Sequence, residues 1–463
     1  MKDIKEFINE NKENILRDIK RLVDQKSVAG TPVKGAPNGE DVKKAELIAL
    51  DILKSVGMQT TDLDGYIGFG HIGATDRFLA IIAHVDVVPQ GGGWETDPFD
   101  CVERDGYLVG RGVVDDKGAM IISAYAVKYL IENNISLNYG LRVIVGIDEE
   151  TGMSDVEYYK AHEKMPVFTF TPDAGFPVGH GEKGIYSADL VSSEIKNGNI
   201  VELRGGVASN VVADYTYATL KNADYDELLS VASNQPWITV SREGEKVRVE
   251  ARGKAGHAGE PHEAVNSNLL IMRFLLEANA LCDDERAAAE FVVAATDNYD
   301  GDVFGIACAD EIFSPLSIIG GLLSLERGRL CLNVNCRYPT AISAGELEQK
   351  IKSAAEGYGF AVKNMTNSEP FYLDPKDNAA VGLMCEIYNE VTKSDEKPIV
   401  MSGGTYARHI ENAVSYGIEY PDAEDPDWVG GCHMKNEGLK ISRALESCEI
   451  FINTLIKLQD VKF

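Results

Sequence analysis

The chain reads as an α/β protein whose first domain is discontinuous. That domain has a mixed, mostly parallel sheet covered by helices, and it is interrupted by an inserted α+β lid domain built from two hairpin-and-helix halves. Three observations predict this. The runs 78–83, 141–147 and 167–171 are too continuously apolar for half-exposed strands and suit the buried centre of a parallel sheet. Each run leads into chemistry: His84-Val85-Asp86, Asp148-Glu149-Glu150-Thr151-Gly152 and Pro172-Asp173. Open α/β sheets place their ligands at such carboxyl ends. After about Gly184 the texture changes to short alternating segments with turn signals, and from about Ala379 the buried texture returns.

A length of 463 residues exceeds what one core supports, so two domains are expected, with parts at 1–185 and 374–463 flanking the insertion at 186–373. In order, 1–20 predicts an amphipathic surface helix without the apolar core of a signal peptide, and 42–56 predicts a second helix. The run 78–88 predicts a central strand. Asp105-Gly106 marks a hairpin between 99–103 and 107–110, and 117–132 predicts a helix with Asp115 and Asp116 just before its positive end. In the insertion, 237–241 and 246–251 form a hairpin around Glu243-Gly244, followed by a helix over 264–281. A second hairpin, 322–325 and 330–337 around Arg327-Gly328, is followed by a helix over 344–356 and a strand over 361–364. The remainder predicts a helix over 379–391, a strand over 399–401, Gly403-Gly404-Thr405 and a final helix over 439–458.

Composition excludes several classes. Hydrophobic residues make up 44%, and no stretch is long enough to span a bilayer. A net charge of -28 argues against nucleic-acid or anionic-membrane partners. The eight cysteines are scattered without a C-x-x-C pair and read as reduced thiols of a cytoplasmic protein. Cys432 is not taken as a ligand, because a hard-oxygen site does not need it.

His84, Asp115, Glu150, Asp173 and His433 are the nitrogen and oxygen donors that suit two divalent ions, zinc first, with manganese or cobalt as alternatives. One shared carboxylate with two further ligands per ion would hold a pair that clamps a bridging water. Glu149, adjacent to a ligand but facing elsewhere, is the candidate base, and Asp86 could orient the His84 imidazole. Singly, each residue has an ordinary reading. A lone His84 suits a core histidine, Asp115-Asp116 a helix cap, Glu149-Glu150 a solvated turn and Arg337 a surface cation; their joint arrangement at strand ends is what points to a site.

The motifs His84-x-Asp86, Gly110-Arg111-Gly112 with Asp115-x-Lys117-Gly118, Asp148-Glu149-Glu150-Thr151-Gly152, Pro172-Asp173, Gly253-Lys254-Ala255-Gly256-His257, Asn335-x-Arg337-x-Pro339 and His433-x-x-Asn436-Glu437 run through nearly the whole chain. In that order they resemble the co-catalytic zinc peptidases that include carboxypeptidase G, the acetylornithine and succinyl-diaminopimelate deacylases, and carnosinase. Within that family the chain most resembles the bacterial PepV-type dipeptidases. The resemblance implies that Asp115 bridges two metals, that Glu150 and His433 complete one ion, and that His84 and Asp173 complete the other. It implies Glu149 as general base, His257 on the lid as the oxyanion donor, and Arg337 as the grip on the substrate carboxylate, helped by Asn210 and the Gly403-Gly404-Thr405 backbone. A cis peptide is expected between Asp115 and Asp116. Departures from the family pattern are Ala264, Val212 and the acidic loop 422–428. A lid about twice the size of the deacylases' dimerising one implies a monomer that cleaves small dipeptides. The alternatives are an N-acyl amino acid deacylase or desuccinylase, and a metal-binding protein without catalysis, which would have no use for Glu149.

Overall fold

The computed structural model describes residues 2–421 and 424–463; Met1 and the first residues of the acidic loop, Asp422 and Ala423, lie outside the described residues. The chain divides into two compact units. The first comprises Met1–Gly181, Tyr372–Ile399 and Gly404–Phe463, and the second Glu182–Phe371 with Val400–Gly403.

The first unit is built on a mixed sheet with four parallel strands at its centre: β1 (Phe78–His84), β2 (Gly140–Gly146), β3 (Phe168–Thr171) and β4 (Ala413–Ser415), in spatial order β2-β1-β3-β4. Every residue of β1, β2 and β3 is buried, as continuous apolar runs demand. A hairpin of Gln59–Leu63 and Ile67–Ile72, not anticipated from the sequence, pairs antiparallel with β2, and Gly179 pairs antiparallel with Ser415 at the other flank.

Helices supply the cover. Lys117–Glu132 is apolar on nearly every side because it lies between β1 and the helices Ile4–Val23 and Ile441–Lys457. Ile4–Val23 is strongly amphipathic, burying Phe7, Ile15, Ile19 and Leu22 and exposing most of its charges, while the buried Asp18 accepts from the Tyr125 hydroxyl. The aromatic side chains Phe170, Phe176, Tyr416 and Phe451 pack edge-on or stacked beneath the sheet.

β1 ends at His84, not at Val88. Its register with β2 closes at His84↔Gly146, after which Val85 donates to the Gly146 carbonyl and Val87 turns to pair with Val28. At that boundary a Cβ on Gly146 would come within 2.1 Å of the Tyr406 hydroxyl. Tyr406 donates to Asp155 Oδ2, which also accepts from the amides of Ile147 and Asp148 and so fixes the chain as it leaves β2.

The second unit is one eight-stranded antiparallel sheet. Its order is Ile238–Glu243, Lys246–Arg252, Tyr215–Leu220, Ile200–Gly205, Ser317–Glu326, Arg329–Tyr338, Gly184–Ser192 and Phe360–Ser368. Both predicted hairpins are present and belong to this single sheet. Strict burial alternation along Gly184–Ser192 marks one packed face and one wet face. The helix expected over 264–281 is shorter, Ser267–Glu277: Asn266 caps its start, and Asn279 at φ 49° ends it. Helices Tyr225–Ala232 and Asp283–Thr296 were not anticipated. Among the described residues no helix is long and apolar enough to cross a membrane, and all eight cysteines are free.

Gly146→Ala is expected to displace Tyr406 and destabilise the protein by about 1–3 kcal/mol, read from the denaturant midpoint. An unchanged midpoint would contradict the close approach.

Candidate metal centre

The carboxyl ends of the parallel strands bring the predicted residues of the first unit together. His84 closes β1, Glu149 and Glu150 sit in the turn after β2, Asp173 follows β3, Asp115 precedes the helix Lys117–Glu132, and His433 sits in the loop before the last helix. They form two clusters, His84 with Glu149 and Asp173, and Asp115 with Glu150 and His433; in each, one donor atom per residue lies within 4.8 Å of the others. Asp115 joins them. Its Oδ1 is 3.0 Å from His84 Nε2, and its Oδ2 is 2.9 Å from His433 Nε2, which is also 3.2 Å from Glu150 Oε2. Asp173 Oδ2 lies 3.7 Å from His84 Nε2.

Each side chain is held by a specific local device. His84 Nδ1 lies 3.0 Å from the Asp86 carbonyl oxygen and 3.4 Å from its Oδ1, so the closer contact is to the main chain. The reason is the early end of β1: Asp86 is no longer on an extended strand. Its carboxylate instead accepts the amides of Glu149 and Glu150 at 3.3 and 3.1 Å, tying the turn after β2 to β1. Asp116 does not cap its helix through the side chain. It is fully buried and accepts from the His84 amide at 3.2 Å. The Asp115-Asp116 peptide is cis. Gly118 is required where it stands, since a Cβ there would lie 2.0 Å from the Val113 carbonyl oxygen. Lys117 is buried with its ammonium on the Gln25 carbonyl.

Glu437 is the residue that sequence reading left without a role. Its buried carboxylate accepts from Arg111 Nη1 at 2.6 Å and from the amides of Gly112, Val114 and Asp115 at 3.1, 2.9 and 3.2 Å. One side chain therefore shapes the loop that presents Asp115. The motif His433-x-x-Asn436-Glu437 was the available signal, but its partners lie 322 to 326 positions upstream. Asn436 works similarly, accepting from the Glu95 amide at 2.9 Å.

The electrostatics test whether cations fit. Four carboxylates converge where burial disfavours charge. Burial, then the charge of Asp173, pushes Glu149 well above the usual carboxylate range, and burial with repulsion from Asp115 raises Asp173. Burial also raises Glu150. Hydrogen bonds to Asp115 and Glu150 push His433 up to about 10. His84 Nε2 is buried without a well-aligned hydrogen bond. An orphaned imidazole nitrogen among like charges is the environment a divalent cation relieves. The donors are nitrogen and oxygen only; Cys432 directs its thiol to Glu419 Oε1 at 3.4 Å.

The predicted residues of the second unit form a group of their own. The Ala258 amide donates to the Asn210 carbonyl, and Val211 bridges His257. The Gly259 amide donates to His257 Nδ1 at 3.2 Å, which leaves Nε2 as the protonated nitrogen. Arg337 is buried, with Nε on Asn335 Oδ1 and Nη1 on the Ser402 carbonyl, both at 3.1 Å. Its strand partner Ser317 holds the Ala258 carbonyl at 2.7 Å. Gly404 begins the last segment of the first unit.

Carboxylates and imidazoles gathered in two joined clusters at the ends of parallel strands define a centre of the metallohydrolase type. The chain belongs to Peptidase family M20/M25/M40, whose model matches residues 80–457. A Bacillus subtilis relative named "Putative dipeptidase YtjP" is 31% identical over 465 residues, covering 96% of this chain and 97% of its own. Among solved structures, the dipeptidase Dug1p of Saccharomyces cerevisiae matches with a TM-score of 0.60 at 12% identity, over 99% of this chain and 98% of that one. Human carnosine dipeptidase 1 matches with a TM-score of 0.56 at 13% identity, over 99% of each chain. At these identities the likeness to the solved structures is one of fold.

Glu437→Ala strands the Arg111 charge and three amides. It should cost about 3–5 kcal/mol in urea unfolding and lower metal content in elemental analysis. Wild-type values for both would show that the loop shapes itself.

Proposed function

We propose that this enzyme is a metal-dependent dipeptidase that hydrolyses the amide bond of free dipeptides with Glu149 as general base. The observation that carries the reading is the Asp115 carboxylate shared between two ligand clusters, with Glu149 inside one of them. Two divalent ions, zinc first, held by His84 and Asp173, by Glu150 and His433, and by Asp115 between them, would polarise the scissile carbonyl and acidify the attacking water. Glu149 takes the proton from that water and returns it to the departing amine nitrogen. Its raised affinity for protons, set by burial and by Asp173, suits both halves of the transfer.

Residues of the second unit complete the proposal. His257, with Nδ1 occupied by the Gly259 amide, offers Nε2–H to the developing oxyanion. Arg337 takes the substrate carboxylate, with Asn210 and the Gly404 amide as further donors; the guanidinium is held in place by Asn335 and Ser402, which supports a positioned grip over a mobile surface cation. Asp86 orients His84 and the Glu149-Glu150 turn. The proposal includes a cytoplasmic monomer: eight free thiols suit a reducing compartment, and the large inserted unit suits a single-chain enzyme.

A panel of free dipeptides and N-acyl amino acids, assayed after chelation and refilling with zinc, manganese or cobalt, tests the reading. Turnover should vanish on chelation, return with metal and favour dipeptides; preference for N-acyl amino acids would select the deacylase instead. Glu149→Ala should retain metal and lose at least about a hundredfold in kcat, and unchanged turnover would remove it as base. Arg337→Ala should raise KM for free dipeptides about tenfold or more and matter little for C-terminally amidated ones. An equal rise on both would contradict the carboxylate grip.

A further inference from the structure

Glu419 is a carboxylate at this centre that the reaction does not use. It follows β4 much as Asp173 follows β3, and the two stretches run side by side. Gly175 and Glu419 form a parallel bridge, the Phe176 amide donates to the Glu419 carbonyl at 2.7 Å, and the Glu419 amide donates to the Ala174 carbonyl at 3.4 Å. The main chain of Glu419 is thus pinned beside the segment that begins at Asp173. Its side chain is fixed from another direction, by the thiol of Cys432, the residue preceding His433. The carboxylate therefore stands between the loops that carry one residue of each ligand cluster.

Its surroundings ask for a cation. Glu419 is exposed and belongs to neither ligand cluster. Among the described residues, no ion pair to a lysine or arginine involves it, and its side chain accepts from the Cys432 thiol. An exposed carboxylate without a cationic partner can accept a charge-assisted hydrogen bond from a ligand's ammonium.

We propose that Glu419 binds the α-ammonium of the substrate's first residue. The inference rests on the dipeptidase reading and deepens it. In a free dipeptide the α-ammonium is borne by the carbon next to the scissile carbonyl, so when that carbonyl is at the metal centre the ammonium falls within a few ångströms, where an acid flanking Asp173 and His433 can reach it. An N-acyl amino acid carries no charge at that place. Glu419 therefore makes the centre select substrates with a free amino terminus, and a charge-assisted hydrogen bond of this kind gives about ten- to hundredfold discrimination.

The test is binding by calorimetry to metal-loaded protein. The probes are the phosphinate isostere of alanyl-alanine and the same compound lacking its α-amino group, each titrated into wild type, E419Q and E419D, with metal content checked by elemental analysis. Wild type should prefer the amino compound about tenfold or more; that ratio should collapse toward one in E419Q and survive in part in E419D, which keeps the charge. A ratio in E419Q equal to that of wild type, or no preference in wild type, overturns the assignment. The dipeptidase reading fails separately, on wild type alone, if N-acyl amino acids are turned over and dipeptides are not.

Discussion

The structure depends on keeping the Asp115 carboxylate in place between two imidazoles. A carboxylate that serves both His84 and His433 tolerates little freedom, because its two oxygens point to different partners 3.0 and 2.9 Å away. The loop that bears it contains Gly112 at φ 88° and would have many conformations by itself. Glu437 removes that freedom by accepting three loop amides and the Arg111 guanidinium at once. A buried ion pair of this sort adds little net stability over apolar packing. Here it fixes a geometry, and it does so from the same short segment that carries His433.

The parallel sheet supplies the other constraint. Parallel strands in register end at one level, so His84, the Glu149-Glu150 turn and Asp173 arrive together without any of them contacting another along the sequence. Asp86 then links two of these ends through its carboxylate, and Asp155 with Tyr406 secures the strand end behind them. The second unit uses antiparallel pairing to similar effect: Ser317 opposite Arg337 holds the chain next to His257. Residues two apart on a strand share a face, so the buried Asn335 and Arg337 lie on one side, where the first braces the second.

Much of this is legible in the amino-acid sequence. The apolar runs before His84, Asp148 and Asp173 marked central strands, and the helix Lys117–Glu132 was bounded as predicted. Three kinds of feature were not legible. The hairpin Gln59–Leu63 and Ile67–Ile72 carries Gly68 and Gly70 in place of strand-forming residues, because Leu50 and Glu46 crowd the first and Met58 and Leu53 the second. The end of β1 was read too late, since Val85, Val87 and Val88 continue an apolar pattern after the sheet has stopped. Glu437 stands in the motif His433-x-x-Asn436-Glu437 without a role and Glu419 stands in no motif, because what defines them is the partner each meets in space.

The sequence by itself determined the kind of chemistry: which donor atoms are available, that they follow buried strands, and that an acid adjoins a ligand. Those properties are local, written in residue type and short-range pattern. Tertiary structure alone decided which oxygen faces which imidazole, that Asp86 tethers a turn through its carboxylate, and that Glu437 shapes a loop more than three hundred residues upstream. Such facts depend on distances between segments remote in the chain, and those distances exist only once the apolar core has drawn the segments together.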